Sequence, residues 1–184
     1  LFFLFATSAT RLTTQLATKE KPLSSTTSAK RPVLVPPSGG KNSKFKLEPE
    51  QLIKIHDTML KARVLEERLI KMYKQSDGYF WIGGPGEEAF NVSVGLQIRK
   101  GFGPNYDFLH LHYRSTAIML GLGAEPIDSL RQMKNTATDP YSGGRNFSNH
   151  YSKREWNVPP VTSTIETQYA AAIGTGIVQR RHGG

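Results

Sequence analysis

The residues with the most chemistry to offer lie in the second half of the chain. Tyr113-Arg114 follow a short apolar run (Phe108, Leu109, Leu111) and open a helix expected over 114–122. A planar guanidinium in the first turn of a helix, beside unpaired backbone N–H groups, makes a seat for phosphate. The same two residues also fit a plainer role, with Arg114 paired to a carboxylate and Tyr113 packed. His110 and His112 share a face if the apolar run is a strand, but no third ligand has metal-site spacing. Farther on, residues 135–160 show no apolar period, and a loop of that length in a compact domain is functional or disordered. Gly143-Gly144-Arg145 and His150 are its polar candidates, and Phe147 and Trp156 imply that it packs on something. Thr162, Ser163, Thr164 and Thr167 then supply clustered oxygens that suit a hard monovalent cation or a diphosphate edge. Plain helix capping by Ser163 or Thr164 accounts for them as well.

The elements that must position these residues are mostly helical by pattern. Pro49 is suited to a first helical position. Leu52, Ile55, Met59, Leu60, Arg63, Leu69 and Tyr73 recur mainly at three and four, predicting a long amphipathic helix from Glu50 to about Gln75. Glu67 and Lys71 are placed for an i,i+4 pair, Gly78 for the C-cap, and Arg63 with Glu66-Glu67 reads as a solvated face. Gly83-Gly84-Pro85-Gly86 form a turn, and Glu87-Glu88-Ala89 open a helix to about Ile98. The glycines lack the Gly-Lys-Ser/Thr ending of a phosphate loop. A short helix over about 125–134 should bury Ile127, Leu130 and Met133. The last helix, from about Ile165, carries Ala170, Ala172, Gly174 and Gly176 and can approach a partner closely.

Composition narrows the classes. The 184 residues allow one domain of ordinary size and contain no cysteine, which removes disulfides, thiolate metal sites and thiol nucleophiles. The net charge is +9, yet residues 1–47 hold eight Lys/Arg against one Glu, so +7 lies there and only +2 in the rest. No basic stripe marks a nucleic-acid face. The basic, Ser/Thr-rich, acid-poor segment 1–46 reads as a disordered leader and mitochondrial transit peptide, implying the matrix. The apolar Leu1–Ala6 leaves a secretory reading open. No run of about 18 apolar residues spans a membrane. Leu1 at one end and Gly183-Gly184 at the other read as the ends of a fragment, with the folded part at 47–184.

Six short patterns occur in a fixed order: Met59-x-x-x-Arg63-x-x-Glu66-Glu67, Ile82-Gly83-x-x-Gly86-Glu87-Glu88-Ala89, Tyr113-Arg114, Leu130-x-Gln132, Gly144-Arg145 before His150, and Thr162-Ser163 before Thr167-Gln168. Together they resemble the alpha subunit of the thiamine-diphosphate-dependent, decarboxylating first component of 2-oxo-acid dehydrogenase complexes. The resemblance implies an α/β fold, a mostly parallel sheet flanked by helices, of which this chain would be the N-terminal part. It implies oxidative decarboxylation of a 2-oxo acid with acyl transfer to lipoyl groups. The implied partners are a beta subunit in an α2β2 heterotetramer and a lipoyl-bearing acyltransferase. Carried over by position, His112, Tyr113, Arg114, Ser163 and Ile165 would line thiamine diphosphate. His150 would stand near the reacting centre. Thr162, Thr167 and Gln168 would hold potassium. Magnesium would be held by a Gly-Asp-Gly motif and an asparagine expected beyond Gly184. Two positions depart from the pattern: Thr164 stands where many relatives carry proline, and His112 where many carry another residue before Tyr-Arg. The alternative from another class is a catalytically inactive assembly or regulatory subunit of the same fold.

Overall fold

The structure is a computed structural model, and it describes residues 47–182. The leader expected over 1–46, with its transit-peptide reading, lies outside these residues, as do Gly183-Gly184. Five α-helices follow in order: α1 Pro49–Lys74, α2 Glu88–Gly95, α3 Thr116–Gly121, α4 Pro126–Met133 and α5 Thr167–Arg181, with a 3-10 turn at Arg154–Trp156. Among the described residues no helix is long and apolar enough to cross a membrane.

Helix α1 begins where proline predicts it, with Pro49 in the first turn and the Glu48 N–H donating to Gln51 Oε1 at 3.0 Å. It ends one turn before the expected glycine. Ser76 takes the left-handed conformation (φ 58°), and the Asp77 N–H reaches back to the Met72 carbonyl at 2.9 Å. Gly78 is small for another reason: a Cβ there would lie 2.5 Å from Met133 Cε. Only the second half of α1 is sunk in the core, through Ala62, Leu65, Glu66, Leu69 and Met72. Leu52, Leu60 and Tyr73, expected on its apolar face, are about half exposed. The expected Glu67–Lys71 pair is not among the ion pairs of the described residues, whereas Arg63 pairs with Glu88 instead.

Helices α2 and α3 cross at their glycines. A Cβ on Gly95 would meet the Ile118 carbonyl at 2.7 Å, and one on Gly121 would meet Gly95 Cα at 3.1 Å, so the two backbones touch. Helix α4 buries Ser129, Gln132 and Met133, while Ile127, expected inside, is 48% exposed. The largest apolar cluster joins Leu109, Leu111, Tyr113, Ile118, Met119 and Leu122 to Tyr141, Tyr151, Val158 and Val161.

The parallel sheet expected from the resemblance has no counterpart among the described residues. Leu109, Leu111 and Tyr113 alternate inward as a strand would place them, with Phe108 partly exposed. The segment nevertheless carries no ladder, its backbone bond to a distant segment being Leu109 N–H to the Asn157 carbonyl, 3.0 Å. The β pairing among the described residues is a single antiparallel bridge, Lys153–Val158. A ladder needs a second strand, and the rest of the described chain is spent on helices and turns.

The aperiodic stretch 135–160 is held from within. The Asp139 carboxylate accepts from the Tyr141 N–H (2.8 Å), the Ser142 N–H (3.1 Å) and the Ser142 hydroxyl (2.6 Å). Gln132, fully buried, donates to the His150 carbonyl at 2.9 Å. Phe147 packs at 5.5 Å from Phe80, and Trp156 lies against the large cluster.

Candidate functional site

Three of the sequence patterns meet at one place. Arg63 of α1 donates to Glu88 Oε1 at 2.8 Å, and the Gly86 N–H donates to Glu88 Oε2 at 2.9 Å. Arg63 thereby holds the Glu88 carboxyl below the usual range. One turn on, Glu66 is buried, accepting from Trp81 Nε1 at 3.0 Å and from the Thr116 hydroxyl at 2.8 Å. Burial pushes its carboxyl upward, opposed by those two bonds. The glycine turn packs directly on this group: a Cβ on Gly83 would lie 2.2 Å from Glu66 Oε2. Its neighbour Gly84 touches the next pattern, since a Cβ there would lie 2.8 Å from Arg114 Cβ.

Arg114 is fixed by its backbone and open at its tip. Buried Asn91 donates to its carbonyl at 3.2 Å, and its N–H donates to His112 Nδ1 at 3.2 Å. The turn is closed by Ser115, whose hydroxyl accepts from the His112 N–H at 3.1 Å. The guanidinium stays about half exposed, with Glu87 at 3.9 Å as its ion-pair partner. This corrects the expected helix: α3 starts at Thr116, so Arg114 precedes it rather than lying in its first turn. Six residues make too short a helix to supply an anion seat by its dipole, so the positive charge at this place is the guanidinium.

Tyr113 is buried between two imidazoles, the His112 ring at 3.8 Å and the His150 ring stacked at 6.4 Å. Burial, helped by Arg114, lowers the His112 pKa. His150 is buried, with Nδ1 2.9 Å from the Ser148 carbonyl and Nε2 in a short contact with Ser163 Oγ. A carbonyl only accepts, so Nδ1 carries a hydrogen. In the neutral ring Nε2 therefore accepts from the Ser163 hydroxyl. Such a pair can hold or pass a proton at Nε2.

The structure thus brings His112, Tyr113, Arg114, His150 and Ser163 together. Ile165 stands apart from their packing and is 61% exposed. Thr162, Thr167 and Gln168 share one turn: Gln168 Nε2 donates to the Thr162 carbonyl at 3.3 Å, and the Thr167 hydroxyl to the Thr164 carbonyl at 2.8 Å. Glu166, at φ 73°, occupies the cap of α5, so neither Ser163 nor Thr164 caps it. His110 turns elsewhere, to Thr175 of α5 at 2.8 Å. No three His, Cys, Asp or Glu side chains are grouped to hold a metal among the described residues. The residues missed in the sequence are Glu66, Trp81 and Thr116. The signal was present, since Glu66 shares the buried stripe of Ala62, Leu65 and Leu69.

No family model matches the chain. It is 25% identical over 134 residues to the 2-oxoisovalerate dehydrogenase subunit alpha of Bacillus subtilis, covering 73% of this chain and 39% of that protein. The chain is thus similar, at low identity, to 2-oxoisovalerate dehydrogenase alpha subunits. The mitochondrial 2-oxoisovalerate dehydrogenase subunit alpha of Dictyostelium discoideum is also 25% identical over 134 residues, covering 73% of this chain and 29% of its own length. The subunit of Pseudomonas aeruginosa is 28% identical over 131 residues, 71% of this chain and 30% of that one. The chain therefore spans well under half the length of these relatives.

Proposed function

We propose that this chain supplies the N-terminal part of the alpha subunit of a 2-oxo-acid dehydrogenase first component, which decarboxylates a 2-oxo acid oxidatively and passes the acyl unit to a lipoyl group. The observation that carries this reading is the open Arg114 guanidinium, fixed at its backbone beside the Tyr113, His112 and His150–Ser163 group. The relatives' names and the order of the sequence patterns support it.

The residues fit thiamine diphosphate. Arg114 is half exposed and held only loosely by Glu87, so its donors are available to the diphosphate. When bound, that cofactor supplies the nucleophilic carbon on which decarboxylation depends. The work of this chain is orientation and charge. Arg114 binds the diphosphate end, Tyr113 and His112 wall the site, and His150 presents Nε2 as a proton acceptor beside the Ser163 hydroxyl. The oxygens around Thr162, Thr167 and Gln168 suit potassium. Magnesium would need ligands outside the described residues. The partners would be a beta subunit completing an α2β2 site and a lipoyl-bearing acyltransferase, and the compartment the mitochondrial matrix.

The test is Arg114→Ala in the complete alpha subunit assembled with its beta subunit. Loss of charge-assisted bonds should weaken thiamine diphosphate binding about tenfold to a hundredfold, read by calorimetry with magnesium. Unchanged affinity and turnover in an intact assembly would overturn the proposal in favour of an inactive assembly subunit.

A further inference from the structure

A buried polar chain runs beneath the site and is used by none of the roles above. Its centre is the Thr116 hydroxyl, 2% exposed. Three groups reach it: Glu66 Oε1 at 2.8 Å, Tyr151 OH at 2.8 Å and Asn149 Nδ2 at 3.2 Å. All three are as deeply buried, at 3%, 0% and 1%.

Proton accounting orders this chain uniquely when Glu66 is ionised. A threonine hydroxyl has one hydrogen and two lone pairs. The carboxylate can only accept, so the Thr116 hydrogen goes to Glu66. The Asn149 amide can only donate through Nδ2, so it fills one lone pair. Tyr151 must therefore donate into the other, in keeping with a phenol whose pKa burial raises strongly. Thr116 is then saturated. Glu66 takes a second donor from Trp81 at 3.0 Å.

The members of this chain sit where the site needs to be gripped. Thr116 lies two residues after Arg114. Asn149 and Tyr151 flank His150 on both sides, and Asn149 holds a left-handed backbone (φ 64°). Glu66 comes from α1, the longest rigid element. We propose that Glu66 and Thr116 are positioning residues. Through one hydroxyl they set the separation between the Tyr113-Arg114 turn and the His150 loop, and with it the geometry available to a bound diphosphate cofactor. The inference takes its site from the function proposed above.

Thr116→Val is close in shape and removes the hydroxyl, whereas Thr116→Ser keeps it. Both are compared in the complete assembled subunit. With no cofactor present, Thr116→Val should raise amide hydrogen exchange at both 112–115 and 147–151. It should also weaken thiamine diphosphate with magnesium by about tenfold, the scale of a lost buried bond to a charged group. Thr116→Ser should restore both. If Thr116→Val only lowers the melting temperature, with exchange and affinity unchanged, the group is structural and the proposal fails. Should Thr116→Val not assemble, Glu66→Gln decides in its place. It keeps the volume but turns an amide N–H2 toward the Thr116 or Trp81 donor. Unchanged exchange in both segments would then overturn the proposal. Wild-type protein that binds no thiamine diphosphate sinks the function proposed above, while the exchange comparison still decides this inference.

Discussion

At the scale of single residues, protonation matters most at His112. Its neighbours are Arg114, Glu87 and His150, and burial lowers its pKa from the ordinary 6.5. A histidine whose folded pKa is depressed contributes stability that is complete above the unfolded value. That stability is lost as pH falls through 6.5 toward the folded value. His110, lowered by burial alone, adds in the same direction. Melting temperature should therefore drop as pH falls below about 6.5, and a His112→Asn variant should show a shallower drop. An equal slope in the variant would exclude His112 as the source. Glu88 acts in the same sense at lower pH, since its depressed carboxyl loses the Arg63 partner's benefit only below its ordinary range. Glu66 acts oppositely: its raised carboxyl penalises folding as pH rises through the window above 4.5. Legibility at this scale was uneven. Tyr113-Arg114 and His150 stood out because their chemistry is carried by residue type. Glu66 reads as part of a solvated face with Arg63 and Glu67, yet its spacing from Ala62 and Leu69 places it on the buried stripe.

At the scale of elements, the turn at Gly83-Gly84 leaves no room for a side chain. The space a Cβ would need at Gly83 is taken by a carboxylate oxygen that is itself held by Thr116 and Trp81. Gly83→Ala must push that carboxylate off its donors. Overpacking of this kind costs about 1–3 kcal/mol, so denaturant melts should show a loss in that range. A variant as stable as the wild type would mean that Glu66 moves freely. Helix α1 was legible almost to the residue because Pro49 and the three-four spacing act locally. Its exit was not: the left-handed position fell to Ser76, and Gly78 answers to Met133, a contact 55 positions away that no local rule contains. The α3 boundary slipped for a similar reason. Residues 112–115 close a turn on the His112 and Ser115 side chains before the helix can start.

At the scale of the whole molecule, the helices and their order are readable, and the described residues contain no parallel sheet. Strand pairing depends on distant segments, and one alternating run, Leu109–Tyr113, cannot specify a ladder by itself. Among the described residues, α5 is the α-helix least covered by others, its Thr175 meeting His110. It buries no residue, and Tyr169, Ile173 and Ile177, four apart, are all about half exposed or more. It has no side-chain cap and carries Gly174 and Gly176, each costing about 1 kcal/mol relative to alanine. Fifteen residues on those terms sit at the margin of helix–coil balance in water. The secondary structure of α5 should thus be conditional on company. Far-ultraviolet circular dichroism of this chain mixed with the proposed beta subunit should exceed the sum of the separate spectra by roughly one short helix, and a strictly additive spectrum would show α5 to be self-sufficient.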